Sequence, residues 1–340
     1  MTRRDGATGQ HGTTGQRILV TGGRSMLGGA VARKLAERGD HVTVLQRRPA
    51  DLGLPEILAD VADRDAVRRA VTNSDVVVHL AAKVGIAGSW SDFLRTNVTG
   101  TDAVVQACRD LGVPRLVHVS SPSVAHAGSS LVGAAAGPAD PDRARGYYAR
   151  SKAMAEQIAL TADGPQLRVL AIRPHLVWGP GDTQLVARIV DRARRGTLPI
   201  LGSGAALIDT TYVDNAADAL VAAVDRVEQV HGRALVVSNA EPRPIGELLA
   251  AIAMAGGAAP PSRHVPAAVG TVAGAAAEAI WAVRRAVGRP AATDPPMTRF
   301  LAEQLSTAHW FDQRETQLLL QWRPAVDLAT GFARLAAFHS

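Results

Sequence analysis

Residues 17–48 read RILVTGGRSMLGGAVARKLAERGDHVTVLQRR, and the rest of the chain is organised around them. Ile18 to Val20 are apolar and suit a buried strand. Thr21-Gly22-Gly23 breaks the run, and Gly28-Gly29 open a helix that carries Val31 and Leu35 on one side. Gly39 stops that helix at the position after its last turn, where the backbone turns left-handed and glycine alone takes it without strain. His41 to Leu45 is a second strand. A strand, a glycine turn and a helix in this order set bare backbone amides and a helix N-terminus where a pyrophosphate can sit.

The chain has 340 residues, enough for one large domain or two small ones, and 47% of them are hydrophobic, so a large core is available. Its formal net charge is +6, and the excess is arginine; the only lysines are Lys34, Lys83 and Lys152. The arginines are scattered and aromatics make up 4%, which argues against a nucleic-acid groove, where clustered cations alternate with stacking rings. A single cysteine, Cys108, excludes an internal disulfide and a thiolate metal cluster and suits a reducing, cytoplasmic setting. No metal ligand set is expected. Residues 1–16 are polar and glycine-rich and read as a disordered tail rather than a signal peptide.

Beyond the opening stretch the pattern alternates. Strands are expected at Glu56–Leu58, Asp75–Leu80, Arg115–Val119 and Arg168–Ile172, with helices at Asp63–Val71, Ser91–Leu111 and Tyr147–Ala162 between them. Residues 124–146 read as a loop. Asp75–Leu80 is a continuous apolar run of the kind covered on both faces. The class is therefore α/β: a doubly wound parallel (Rossmann) sheet with a smaller mixed C-terminal substrate lobe. Residues 17–174, with parts of 205–240, make the dinucleotide-binding domain, and 175–340 are mainly the substrate lobe. Helices are expected near 183–195, 215–228 and 245–255, and a strand at Ala234–Val237.

The chemistry begins at Tyr148-Ala149-Arg150-Ser151-Lys152. The Y-x-x-x-K spacing puts phenol and ammonium on one helix face, a turn apart. A neighbouring ammonium favours the phenolate and is expected to lower the tyrosine's pKa towards the working pH. The lysine can also hydrogen-bond a ribose hydroxyl. Arginine, used almost everywhere else, stays protonated and has a different geometry. Ser120 and Ser121 end the fifth strand, where a hydroxyl can reach a substrate carbonyl. For the cofactor, Gln46 and then Arg47-Arg48 stand at the end of the second strand, where NAD enzymes of this fold carry Asp or Glu for the ribose diol. With Arg24 on the same side, the arginines can clamp a 2′-phosphate. NADP(H) is favoured over NAD(H).

At these residues the chain resembles the extended short-chain dehydrogenases/reductases, and within them the 3β-hydroxysteroid dehydrogenase-like branch. Thr21-Gly22-Gly23-Arg24-Ser25-Met26-Leu27-Gly28 matches the family's T-G-G-x-G-x-x-G, with Ser25 in place of the middle glycine. The resemblance implies Tyr148 as proton donor or acceptor, Lys152 as its partner and Ser121, rather than Ser120, as the carbonyl-orienting hydroxyl. It implies that Asp60-Val61 border the adenine, that Ala81-Ala82 with Lys83 line the ribose side, and that Pro174-His175-Leu176 flank the nicotinamide. Arg173 to Asp182 (RPHLVWGPGD) and Thr211 to Ala219 (TYVDNAADA) are similar to the reductases of bacterial olefin and β-lactone pathways, which reduce 2-alkyl-3-oxoalkanoic acids to 3-hydroxy acids. A small hydrophobic substrate and a homodimer through the helices near 91–111 and 147–162 follow from the same resemblance. Three other readings stay open: an NAD-linked 3β-hydroxysteroid or sterol dehydrogenase, a nucleotide-sugar epimerase or dehydratase, and a non-catalytic NADP-binding sensor. Residues 265–289 (VPAAVGTVAGAAAEAIWAVRRAVGR) suit a small-residue helix packed in the substrate lobe, a lid over a greasy tunnel, or a peripheral helix at a membrane surface.

Overall fold

The fold is that of a computed structural model describing residues 15–85, 88–126, 130–286 and 305–340. Most of the 1–16 tail and residues 287–289 of the late helical segment lie outside the described residues. The first half runs β1 (Arg17–Thr21), α1 (Met26–Glu37), β2 (His41–Gln46), β3 (Glu56–Leu58), α2 (Arg64–Val71) and β4 (Val76–His79). It continues with α3 (Trp90–Phe93), a π-helical segment (Leu94–Thr99), α4 (Gly100–Asp110) and β5 (Arg115–Val119). A 3₁₀ turn (Pro122–Ala125), β6 (Leu131–Ala134), α5 (Gly146–Thr161) and β7 (Arg168–Pro174) follow.

Seven parallel strands form the central sheet in the order β12-β7-β5-β4-β1-β2-β3, where β12 is Arg233–Val237. The order reverses between β1 and β4, the switch point at which ligands of open α/β sheets bind. Side chains alternate across the strands, so each face has its own core. Ile18, Val20, Val78 and Val117 meet Val31 and Leu35 of α1 on one side. Leu19, Val77 and Leu116 meet Val67, Val104 and Ala159 of α2, α4 and α5 on the other.

Before β12 the chain makes β8 (Val177–Trp178), α6 (Leu185–Arg194), β9 (Ile200–Leu201), β10 (Leu207–Ile208), β11 (Thr211–Tyr212) and α7 (Val213–Arg226). After it come β13 (Arg243–Pro244), α8 (Ile245–Ala255), β14 (His264–Val265) and α9 (Ala267–Ala286). The chain closes with β15 (His309–Phe311), α10 (Arg314–Leu320) and α11 (Leu328–His339). A second, four-stranded sheet orders as β13-β10-β15-β6. Its last strand corrects the expectation of plain loop over 124–146: Leu131–Ala134 pairs with His309–Phe311, a partner far along the chain that local sequence cannot reveal. The lobe's core gathers Trp178, Val186, Tyr212, Leu249 and Leu335.

Much of the RPHLVWGPGD and TYVDNAADA wording turns out to hold the lobe together. Trp178 stacks on Phe332 with centroids 4.5 Å apart, and its indole N–H donates to Thr210 Oγ1 at 3.0 Å. A Cβ on Gly179 would stand 2.6 Å from Val213 Cγ1, so only glycine admits this approach. The buried Asn215 amide accepts from the N–H groups of Ala325 and Val326 and donates to Val326 O and Asn239 Oδ1.

Candidate active site

The glycine turn is built for close approach. Gly22 has φ +81°, and a Cβ there would lie 2.9 Å from the Ala81 backbone at the end of β4. One on Gly23 would meet Val44 Cγ1 at 2.4 Å, and one on Gly28 would meet Gly22 O at 2.3 Å. Ser25, at φ −69°, needs no glycine. Its hydroxyl accepts from Gly28 N–H at 3.0 Å and donates to Gly22 O at 2.9 Å, capping α1 and bracing the turn. Met26 and Leu27 face inward from the first turn of α1, packing partly against the lobe's core and the sheet's core respectively.

Arg24, Arg47 and Arg48 are exposed around this turn, and among the described residues none forms an ion pair. Between them Gln46 is buried with neither amide atom hydrogen-bonded, an orphaned polar group beside the turn. Asp60 accepts from Ala62 N–H at 2.9 Å and pairs with Arg95 at 3.0 Å, and Val61 is buried under Gly100. The glycine cradle, the orphaned amide at the end of β2 and the free cations around it suit a dinucleotide along the carboxyl edge of the sheet.

A buried polar chain joins this turn to the Tyr148 helix. Thr21 Oγ1 accepts from Ala81 N–H at 3.0 Å and so gives its proton to His79 Nδ1 at 2.8 Å. His79 then carries its hydrogen on Nε2 and donates to Thr101 Oγ1 at 3.0 Å, whose hydroxyl donates to Asn97 O at 2.6 Å. Burial holds this imidazole neutral, with its pKa lowered to about 3. The Asn97 amide accepts from Lys83 N–H at 2.6 Å and donates to Lys83 O at 3.1 Å and to Ser151 Oγ at 2.9 Å. Ser151 in turn donates to Tyr148 O at 2.9 Å.

Asn97 lies on the π-helical segment, which corrects the expectation of one unbroken helix over Ser91–Leu111. A π turn inserts a residue and re-aims a side chain, and such turns gather at functional sites. A cluster of poor helix formers, Thr96-Asn97-Val98-Thr99-Gly100, was the available signal.

Ser121 and Tyr148 are brought together and Ser120 is not. The Ser121 side chain stands near enough to the Tyr148 phenol to draw its pKa down, and the Ser121 hydroxyl shares a 2.9 Å contact with Ser123 Oγ. Ser120 Oγ is buried without a partner. Lys152, on the same helix, is 3% exposed and donates to Val119 O at 2.6 Å. Burial pulls its pKa down to about 8, opposed by the charge of Glu156, itself clamped by Arg173 in a buried pair. His118 lies on the sheet face covered by α5, 5.5 Å from the His79 ring between centroids. It is held neutral by burial and by the charge of Lys152.

The tyrosine does not behave as its spacing predicts. Burial pushes the Tyr148 phenol above its ordinary value, and only Ser121 draws it partway back. The ammonium is engaged with Val119 O, so in this structure it does not tune the phenol.

Pro174 ends β7, and His175 is buried, its N–H donating to Val237 O at 2.9 Å and its ring edge-on to Phe311 at 5.0 Å. Its Nδ1 has no partner, and burial lowers its pKa to about 3. Leu176 has φ +44°, a strained conformation for leucine of the kind that marks ligand-facing backbone.

The chain belongs to the NAD dependent epimerase/dehydratase family, whose profile matches residues 18–238; it is an extended short-chain dehydrogenase/reductase and an NAD(P)-dependent oxidoreductase. It is 40% identical over 331 residues to the 2-alkyl-3-oxoalkanoate reductase of Stenotrophomonas maltophilia, covering 94% of this chain and 98% of that one. It is 27% identical to the mouse (Mus musculus) sterol-4-alpha-carboxylate 3-dehydrogenase, decarboxylating, over 99% of this chain and 96% of that one. A solved dTDP-glucose 4,6-dehydratase double mutant from Streptomyces venezuelae, with NAD bound, superposes with a TM-score of 0.72 at 23% identity. It covers 95% of this chain and 97% of that one, and the likeness speaks for the fold.

Proposed function

We propose that this enzyme reduces the 3-oxo group of a 2-alkyl-3-oxoalkanoic acid to the 3-hydroxy acid, with NADPH as the reductant. The observation that carries the reading is that Ser121, at the carboxyl edge of β5, stands beside Tyr148, one helical turn from the buried Lys152. The relative at 40% identity over nearly its whole length supports the substrate class. When bound, the nicotinamide supplies the hydride. Tyr148 gives its proton to the oxygen that becomes the alcohol, and Ser121 hydrogen-bonds that oxygen while charge builds on it. A phenol pKa above the ordinary value suits a group that starts protonated and acts as the acid. Lys152 holds a positive charge next to that proton transfer below about pH 8.

The preference for NADP(H) is supported by the absence of a carboxylate at the end of β2, by the buried Gln46 and by the unpaired Arg24, Arg47 and Arg48. Around the cofactor, Thr21 to Gly28 would hold the pyrophosphate, Asp60-Val61 the adenine, Ala81-Ala82 the ribose, and Pro174-His175-Leu176 the nicotinamide. We assign residues 17–174 with parts of 205–240 to the nucleotide domain and 175–340 mainly to the substrate lobe.

A homodimer is supported by the groove of about 410 Å³ between α4 and α5, lined by Val105, Met154 and Ile158. A peripheral membrane contact in a cytoplasmic setting is supported by α9. Gly270 and Gly274 face inward there, while Val269, Val272 and Ile280 are 54%, 70% and 58% exposed. No described helix is long and apolar enough to cross a membrane.

The test is a substrate screen of purified enzyme. Turnover of 2-alkyl-3-oxo acids with NADPH, and none of sterols, is the expected result. Turnover of sterols alone would overturn the substrate, and a preference for NADH would overturn the cofactor.

A further inference from the structure

The substrate named above carries a carboxylate next to the reacting ketone, and a carboxylate entering a partly desolvated cleft needs a cation. Lys83 stands out by identity, place and surroundings. It is one of three lysines in a chain with 37 lysines and arginines, so arginine was the default choice here and was not used. It follows β4, the strand beside β5, so its loop emerges next to Ser121 at the sheet's carboxyl edge.

Its backbone is fixed to the catalytic helix. Both Lys83 N–H and C=O are held by the Asn97 amide, which also binds Ser151, which donates to Tyr148 O. The side chain is guided as well. A Cβ on Gly88, at φ +120°, would fall 2.5 Å from Lys83 Cε and 2.8 Å from its Nζ, so the glycine leaves the path open. The ammonium ends 5.3 Å from the centroid of Phe93, whose ring meets Tyr147 at 6.1 Å, the residue before Tyr148. It therefore lies against α3. Among the described residues no carboxylate pairs with it directly. Asp92 feels the Lys83 charge, which with the Ser89 hydrogen bonds holds its carboxyl below the usual carboxylate range, but it is committed to capping α3 through the Ser89 N–H at 2.9 Å. In a chain with 4% aromatic residues, Trp90, Phe93 and Tyr147 gather here, with the Arg150 guanidinium 5.4 Å from the Trp90 centroid. A cation bordered by rings suits an acid that continues into alkyl chain.

We propose that Lys83 is the specificity-determining residue of this site, receiving on its ammonium the carboxylate of the 3-oxo acid. This rests on the reading of the enzyme as an oxoacid reductase. It gives Lys83 to the substrate, in place of the ribose-side role implied by resemblance.

The experiment uses the stable product acid. A 2-alkyl-3-hydroxyalkanoate and its methyl ester are oxidised with NADP⁺ by the wild type, Lys83→Gln and Lys83→Arg. NADPH binding is followed by fluorescence, and binding of the acid to the NADP⁺-loaded protein by calorimetry. A lost charge-assisted contact is expected to raise KM and Kd for the acid about 10- to 100-fold in Lys83→Gln. The ester and NADPH should change less than about threefold, and Lys83→Arg should recover most of the loss. Equal losses for acid and ester, an unchanged acid, or NADPH binding weakened as much as acid binding would each overturn the assignment. Calorimetry separates the two proposals. Acid binding that depends on Lys83 without turnover supports Lys83 and sinks the oxoacid reductase reading, and a wild type that neither binds nor oxidises the acid sinks both.

Discussion

The two ends of the active-site cleft are built on opposite principles. On the side of the glycine turn, a local sequence motif and buried hydrogen bonds set the geometry: Thr21, His79, Thr101, Asn97 and Ser151 form one chain from the turn to the Tyr148 helix. On the lobe side, segments as distant as Leu131–Ala134 and His309–Phe311 are brought together, and packing around Trp178 holds them. Hydrogen-bonded geometry is unforgiving, because an unmade buried bond costs the full desolvation of its partner. In the lobe the tolerant part is the exposed apolar face of α9, since its core around Trp178 is as closely packed as any. On these proposals the reacting groups and the acid-receiving Lys83 belong to the hydrogen-bonded side, and the packed side is left to hold the rest of the substrate.

Tyr148→Phe strikes the first side hardest. Losing the proton donor is expected to cut kcat by about 10² to 10⁴ while NADPH binding holds; undiminished reduction would remove Tyr148 from the chemistry. Next comes the double change Arg47→Ala with Arg48→Ala, expected to weaken NADPH about 10- to 100-fold and to leave NADH alone. Equal weakening of both cofactors would show that these arginines do not read the phosphate.

Lys152 tests what a buried charge costs the nucleotide side. Its pKa falls from 10.5 unfolded to about 8 folded. Folding is therefore opposed below pH 8 by about 3 kcal/mol, and that penalty fades as pH rises from 8 to 10.5. Lys152→Met, which also leaves Val119 O without its donor, is expected to be more stable at pH 7 by roughly 1–2 kcal/mol, with most activity gone. Chemical denaturation at pH 7 and pH 10 checks this, and a variant destabilised equally at both would refute it. Wild-type kcat should fall on the alkaline side of about pH 8.

The smallest effects are expected at the margins. Ser25→Gly keeps the turn and loses one cap, costing a few tenths of a kcal/mol by thermal melting. Val272→Ser, on the exposed face of α9, should stay within about 0.5 kcal/mol. A large loss from Val272→Ser would mean that this face is covered in the working enzyme.

The glycine turn, the alternation of strands and helices and the Tyr148–Lys152 spacing were legible in the sequence because each depends on neighbours in the chain. Ser121 was legible as a strand end, although its place beside Tyr148 was not. Asn97 was hidden from helical periodicity, which does not register a π turn, and only the run of poor helix formers around it marked the place. His79 and His118 did not stand out within their apolar runs, since nothing local shows that both are buried on the same sheet face. Burial raises the Tyr148 pKa against the direction its spacing to Lys152 predicts, because spacing reports which groups share a helix face and says nothing of burial.

By itself the sequence determined the central sheet and the family, and it singled out Tyr148 as the candidate acid. All three are written in short-range patterns: apolar runs of strand length, glycines where a Cβ would clash, and two side chains one helical turn apart. Tertiary structure alone decided the rest. It set the ionisation of Tyr148 and Lys152 through burial, joined β6 to β15, and hung Lys83 from Asn97 beside the catalytic helix. Desolvation and long-range pairing depend on which parts of the chain come together, and that is settled only when the chain has folded.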